Sequence, residues 1–242
     1  SEHRMEPFCK HFGICGGCSW QMLPYEMQLS FKQQQVVDAM ERIAKIEIPE
    51  INPILGSAET KRYRNKLEFT FSNKCWLTRE QLESGAEFPD RNALGFHIPG
   101  AFDKVLNIHE CWLQDSISDE IRLFIRNYAV KQGYSFYDIR NNEGFMRMIM
   151  VRVASTGEIM LVVVFSEPNQ AAIDDVMGAI KERFPQITCL IYVVNLKVND
   201  NIADQEMILF SGRDYIEEEM EGLKFRIGPK SFYQTNSKQA YE

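Results

Sequence analysis

The sequence predicts an α+β fold: antiparallel β-sheets with packed helices, plus a small cysteine-rich knuckle at the N-terminus. Three observations lead there. Leu67, Phe69 and Phe71 alternate with Lys66, Glu68 and Thr70, the pattern of a half-buried strand. Met146–Ala154 and Glu158–Ser166 are apolar at nearly every position, as strands covered on both faces are. Residues 115–132 and 169–184 carry apolar stripes at helical spacing.

In chain order, residues 1–22 read as a loop-rich knuckle and 23–59 as a helical segment. Pro24 suits a first helical turn, and Leu29, Val36, Met40 and Ile43 share one face, with Pro49 and Pro53 as stops. That face either covers the chain's own sheet or docks elsewhere. A central α+β unit spans 60–227. Ala93–His97 and Lys104–Ile108 are expected strands around a Pro99-Gly100 turn, and 79–91 a surface loop. Helix 115–132 turns Ile117, Ile121, Phe124, Ile125 and Tyr128 inward. Ser116-x-x-Asp119 resembles a capping box, and Gly133 fits the position after its end. Thr156-Gly157 joins the two apolar strands. Helix 169–184 presents Ile173, Val176, Met177, Ile180 and Phe184, and Thr188–Val194 follows as another buried strand. Leu223, Phe225 and Ile227 alternate after a turn at Glu221-Gly222, and the acidic run Glu217–Glu219 reads as a solvated face. Residues 228–242 form a separate tail.

The 242 residues are 45% hydrophobic, enough for one large domain or a domain with a small appendage. The sequence contains neither a membrane-length apolar run nor a secretory segment, which predicts a soluble, cytoplasmic protein. A net charge of −7 argues against broad electrostatic binding of nucleic acid, so an RNA partner would need a local basic patch or a partner domain. Lys61-Arg62-Tyr63-Arg64-Asn65-Lys66 is that patch. It reads equally as a phosphate and base contact or as an ordinary strand edge. Arg147 and Arg152, in an apolar strand, either pair within the fold or face RNA.

Six cysteines in such a chain point to a metal or to catalysis. Cys75 and Cys189 sit among apolar residues and read as small buried hydrophobes. Cys9, Cys15 and Cys18 follow C-x5-C-x2-C, with Gly16 and Gly17 letting the backbone turn between two sulfurs. The best fourth ligand is Cys111. Three local cysteines and one distant one favour a 4Fe–4S cluster. Structural zinc, which His11 or His109 would help to bind, and free thiols are the alternatives.

Cys9-x5-Cys15-Gly-Gly-Cys18-x-x-Gln21, Tyr25, Gln28-Leu29 and Lys32 together resemble the iron–sulfur RNA uracil-C5 methyltransferases. The likeness continues through Tyr63-Arg64-Asn65-Lys66, Gly95-Phe96, Cys111-x-Leu113 and Phe232-x-Gln234-x-Asn236. It implies an S-adenosylmethionine-dependent enzyme making 5-methyluridine, with ribosomal RNA expected over transfer RNA, and a monomer. It implies RNA contacts by Arg64 and Lys66. It puts Phe232 beside a flipped base and Gln234 beside both the methyl donor and the target uracil. It also implies that 23–59 packs on a methyltransferase domain and that 228–242 opens that Rossmann-like domain. Such enzymes need a reactive thiolate, a general base and a donor-binding glycine turn. None is visible here, and the family's small N-terminal β-barrel is absent too. The expectation is therefore a truncated chain, inactive alone. A non-enzymatic iron–sulfur or zinc RNA-binding module and a redox carrier are the competing readings.

Overall fold

The computed structural model describes residues 3–242; the first two residues of the expected 1–22 knuckle lie outside the described residues. After the knuckle comes α1 (Tyr25–Asp38), continued by a π-helical segment (Ala39–Ala44) that ends at Lys45 in the left-handed region, φ 55°. The helical stretch thus stops before Pro49. The chain then gives β1 (Lys66–Ser72), α2 (Arg79–Glu83), β2 (Ala93–Ile98), β3 (Ala101–Asn107) and α3 (Ser116–Gln132). Next come β4 (Met146–Val153), β5 (Ile159–Phe165), α4 (Gln170–Arg183), β6 (Ile187–Val194) and β7 (Ile208–Gly212). The β8–β9 hairpin (Ile216–Met220, Leu223–Ile227) and α5 (Ser237–Tyr241) end it.

Seven strands form one mixed sheet in the order β3-β2-β1-β4-β5-β6-β7, and β8–β9 pair separately. All neighbours in the large sheet are antiparallel except β5 and β6. This corrects the purely antiparallel expectation. Helix α4 lies between β5 and β6, and a helical crossover returns the chain in the same direction.

One face of the sheet carries α3 and α4. Leu67, Phe69, Phe71, Ile149, Leu161 and Val163 pack there against Ile121, Ile125, Ile173, Val176 and Ile180. The opposite face of β4–β6 buries Met150, Met160, Val162 and Ile191 beneath Ile216 and Ile227 of the hairpin. The apolar runs in β4 and β5 are therefore enclosed on both sides. Burying a side chain of this size contributes roughly 1.5–3 kcal/mol.

Four local expectations change. Asp115, not Ser116, caps α3, accepting the Ile117 N–H at 3.0 Å. Asp119 is buried instead. Within 79–91 a short helix forms because Thr78 and Gln81 make a capping box. Glu218 is buried, its carboxylate accepting from the Ser155 N–H and Oγ, so the 217–219 run is not a solvated face. On β9 only Ile227 is buried, while Leu223 and Phe225 are exposed. Helix α1 and its π-helical extension bury no side chain, and Ile43 is 81% exposed. This segment does not cover the chain's own sheet.

Arg147 is structural. It pairs with Asp200 and donates to the carbonyls of Asn195, Lys197, Val198 and Asn199.

Gly95 fixes the spacing of β2 against β3. A Cβ there would stand 2.0 Å from the Leu106 carbonyl oxygen. Gly95→Ala should therefore destabilise the protein by about 1–3 kcal/mol, the usual range for overpacking. A urea midpoint equal to that of the unsubstituted protein would show that the hairpin yields freely.

Candidate functional site

The knuckle's loop folds against the β2–β3 end of the sheet because its backbone has little bulk there. A Cβ on Gly16 would meet the His97 carbonyl oxygen at 3.0 Å. Gly17 instead turns its N–H to the Cys15 Sγ at 3.3 Å. Cys9, Cys15, Cys18 and Cys111 all line one small cavity, together with Phe12, Phe96 and Ile108. All four thiols are free. Among the described residues no group of three or more His, Cys, Asp or Glu side chains is placed to hold a single metal ion. A polynuclear cluster makes a different demand, because its thiolates are spread around several iron atoms. Four free thiols around one apolar cavity, with a backbone N–H on one sulfur, fit such a group chemically.

Burial dominates the acid–base character of Cys15, Cys18 and Cys111. It pushes Cys15 up, with the Gly17 N–H opposing, and pushes Cys18 up, with Gln21 opposing. Cys111 is pushed up to about 11, chiefly by burial. His11 also lines the cavity; burial lowers its pKa, and the neighbouring His109 lowers it further. Its Nε2 accepts the His109 N–H at 3.2 Å.

Cys111 is positioned from α3. Both Asp119 carboxylate oxygens accept its backbone N–H, at 3.0 and 3.2 Å. Asp119 is in turn paired at 2.6 Å with Arg122, which is wholly buried, lies over the Phe69 ring and donates to the Ile108 carbonyl. Burial raises the Asp119 carboxyl above its ordinary range although Arg122 pulls it down. A capping role for Asp119 hid this one in sequence; its i,i+3 spacing from Arg122 was the available signal.

Beside the cysteine cavity runs an open groove of about 1850 Å3, lined by Trp20, Tyr25, Lys32, Lys61, Tyr63 and Arg64 and reaching Cys18 and Asn236. Lys61 lies over the rings of Phe8 and Trp112, at 4.2 and 5.0 Å. The Arg64 Nε is buried without a hydrogen-bond partner. Lys66 behaves differently: it does not line the groove and pairs with Glu68 at 2.9 Å.

The Phe232–Asn236 loop meets this basic segment. Asn65 Nδ2 donates to the Gln234 carbonyl and to the Ser237 Oγ, both at 2.8 Å, and its N–H donates to the Thr235 carbonyl. Phe232 stands 87% exposed. Gln234 is exposed too, and Asn236 caps α5. Sequence reading missed Asn65 and the buried Gln114, whose amide donates to the Asn65 and Val151 carbonyls. Neither has a spacing signature. Arg152, also buried, donates to the Ser231 carbonyl at 3.2 Å. Cys75 and Cys189 are buried away from these elements, with burial raising Cys75 and pushing Cys189 up to about 12.

Removing the Asp119 carboxylate should strand a buried guanidinium. Asp119→Ala is expected to destabilise the protein by about 3–5 kcal/mol in urea unfolding. Asp119→Leu combined with Arg122→Met should cost less than that single change. A double variant no more stable than Asp119→Ala would mean that the pair's charge is not what matters.

No protein-family model matches the chain. It is 59% identical over 244 residues to an uncharacterised RNA methyltransferase of Porphyromonas gingivalis, covering 99% of this chain and 52% of that protein. A Bacteroides thetaiotaomicron protein of the same description is 54% identical over 241 residues, covering 98% and 53%. One from Chlorobaculum tepidum is 36% identical over 247 residues, covering 99% and 50%. The chain thus spans about half the length of these relatives. Among solved structures, the tRNA (uracil-54, C5)-methyltransferase of Pyrococcus abyssi, in complex with S-adenosyl-L-homocysteine, superposes with a TM-score of 0.68. It is 23% identical, and the match covers all of this chain and 50% of that one. At that identity the likeness concerns the fold.

Proposed function

We propose that the chain is the cysteine-bearing central region of an S-adenosylmethionine-dependent RNA (uracil-C5-)-methyltransferase. The observation that carries this reading is a juxtaposition. A four-cysteine cavity, an aromatic and basic groove, and the Phe232–Asn236 loop adjoin one another around Arg64 and Asn65. The relatives' names support RNA methylation. Ribosomal RNA is the expected substrate, with transfer RNA as the alternative, and the protein is expected to act as a monomer. The knuckle (1–22), helical segment (23–59), α+β unit (60–227) and tail (228–242) are proposed as its working divisions. The exposed apolar face of α1 is proposed to dock on a methyltransferase domain opened by the tail.

Each residue has a chemical task in this reading. Arg64 lines the groove and is proposed to take a phosphate or base oxygen there. Lys66 is proposed to contact RNA by exchanging its exposed pair with Glu68 for a phosphate, an exchange made easy by the small worth of such pairs. Phe232 offers a stacking face to an extruded base, and the Gln234 amide matches the donor and acceptor of the uracil imide edge. S-adenosylmethionine supplies the electrophilic methyl. Activating uracil C5 toward that methyl would need addition of a thiolate at C6 and a base for the C5 proton, with the demethylated donor as leaving group. Among the described residues no cysteine suits that addition. Four line the cavity, and Cys75 and Cys189 are buried, which raises both thiols.

Cys9, Cys15, Cys18 and Cys111 are proposed to hold a 4Fe–4S cluster, which when bound would tie the knuckle to the sheet. Among the described residues no helix is long and apolar enough to cross a membrane.

Two measurements test the reading. Protein purified without oxygen should contain iron and acid-labile sulfide and show a broad visible absorbance, all lost in Cys111→Ser. Stoichiometric zinc without sulfide would replace the cluster with a zinc site. Full-length protein should transfer labelled methyl from S-adenosylmethionine to uridine C5 in unmodified ribosomal RNA. The 242-residue span alone should not, and Gln234→Ala should lower full-length turnover by about 100-fold, as loss of a positioning group does. Transfer to transfer RNA alone would change the substrate, and transfer by neither would end the proposal.

A further inference from the structure

We infer that Asn65 is the positioning residue for the Phe232–Asn236 loop, and that Gln114 links its setting to the Cys111 segment. The inference deepens the proposed methyl transfer and rests on that reading for its kinetic consequence.

The loop has no strand or long helix to fix its shape. Its backbone carbonyls are instead taken up by buried groups of the neighbouring unit. Arg152 holds the Ser231 carbonyl at the loop's start. Asn65 holds the Gln234 carbonyl with its side chain and the Thr235 carbonyl with its own N–H. Its second side-chain N–H takes the Ser237 Oγ, which also donates to the buried Glu218 at 3.3 Å. Phe232 and Gln234 are thus exposed side chains on a backbone gripped from beneath.

The grip is itself fixed. The Asn65 carbonyl accepts from the Val153 N–H and from Gln114 Nε2, so β4 and the segment after Cys111 both orient this residue. Gln114 is saturated as well: its Oε1 accepts from Ser118 Oγ at 2.6 Å, and its amide reaches the Val151 carbonyl at 2.8 Å. Arg62 Nη1 takes the Gln114 carbonyl at 3.0 Å, and the Arg64 N–H takes that of Leu113. Hydrogen bonds therefore join Gln114 to Asn65 and Asn65 to Gln234, and Gln114 follows Cys111 by three residues along the chain. Buried polar groups of this kind specify geometry because each alternative leaves a donor or acceptor unmet.

The test uses Asn65→Asp in the full-length protein. The change keeps the side chain's size and the backbone N–H but removes both donated bonds and sets an oxygen against the Gln234 carbonyl. Asn195→Asp is the control, a buried residue whose side-chain amide bonds only within its own turn, to the Asn199 carbonyl and the Lys197 N–H. In Asn65→Asp, deuterium uptake at the Gln239 and Ala240 amides should rise at least tenfold, while β4–β6 amides keep their protection. Turnover should fall about 100-fold with the KM for RNA within twofold, because a displaced contact costs rate rather than affinity. Gln114→Glu, which trades the donor for an acceptor, should shift the same amides in the same direction. The control should move neither readout. Loop exchange and turnover within twofold of the unsubstituted protein would overturn the inference. If the unsubstituted protein transfers no methyl, the functional proposal falls, and the exchange measurement by itself decides whether Asn65 sets the loop.

Discussion

A wholly buried guanidinium at the corner of the sheet dictates much of what surrounds it. Arg122 points from α3 toward the end of β3, and its charge must be answered because water cannot answer it. Asp119, the Ile108 carbonyl and the face of Phe69 answer it. The same carboxylate then fixes the Cys111 N–H, so the chain leaving β3 has little choice of path. Replacing such a pair with apolar residues is often neutral for stability. Its worth here lies in direction: it holds one cysteine where three others can meet it.

The seven-stranded sheet supplies the rigidity on which this depends. Its two faces are unlike. One is sealed by long helices, which suits a permanent core; the other is covered by a hairpin, a loop and Tyr233. The groove and the exposed loop lie at the margins of the sheet, where backbone groups are still available. Side chains with work to do are thereby separated from those that maintain the fold, as in many proteins whose loops are carried by a fixed scaffold.

Most of the fold was legible because it is periodic. Strand alternation at Leu67–Phe71, the apolar runs of β4 and β5 and the stripes of α3 and α4 all correspond to observed burial. The parallel β5–β6 pairing was missed even though a helix lies between the two strands, because apolar composition says nothing of direction. Charged residues misled for a different reason. Asp119, Glu218 and Arg122 are buried with partners distant or one turn away, and composition assigns such residues to the surface. Glycine spacing bears on Cys15 and Cys18 locally, whereas Cys111 reaches the same cavity only through the fold. Asn65 and Gln114 act through contacts with no fixed sequence interval, so only the folded chain reveals them. The exposed stripe of α1 was legible as a face, but a stripe does not say what covers it.

The cavity's two halves come from residues 9–18 and residue 111, with α1 and three strands between them along the chain. The β4–β5 hairpin closes through a turn of a few residues and can form quickly, whereas bringing Cys18 to Cys111 requires closure of a very long loop. Closing that loop carries an entropic cost, which the sheet and α3 offset by holding Cys111 in place. During synthesis the first three cysteines emerge well before their partner, ahead of β3 and α3.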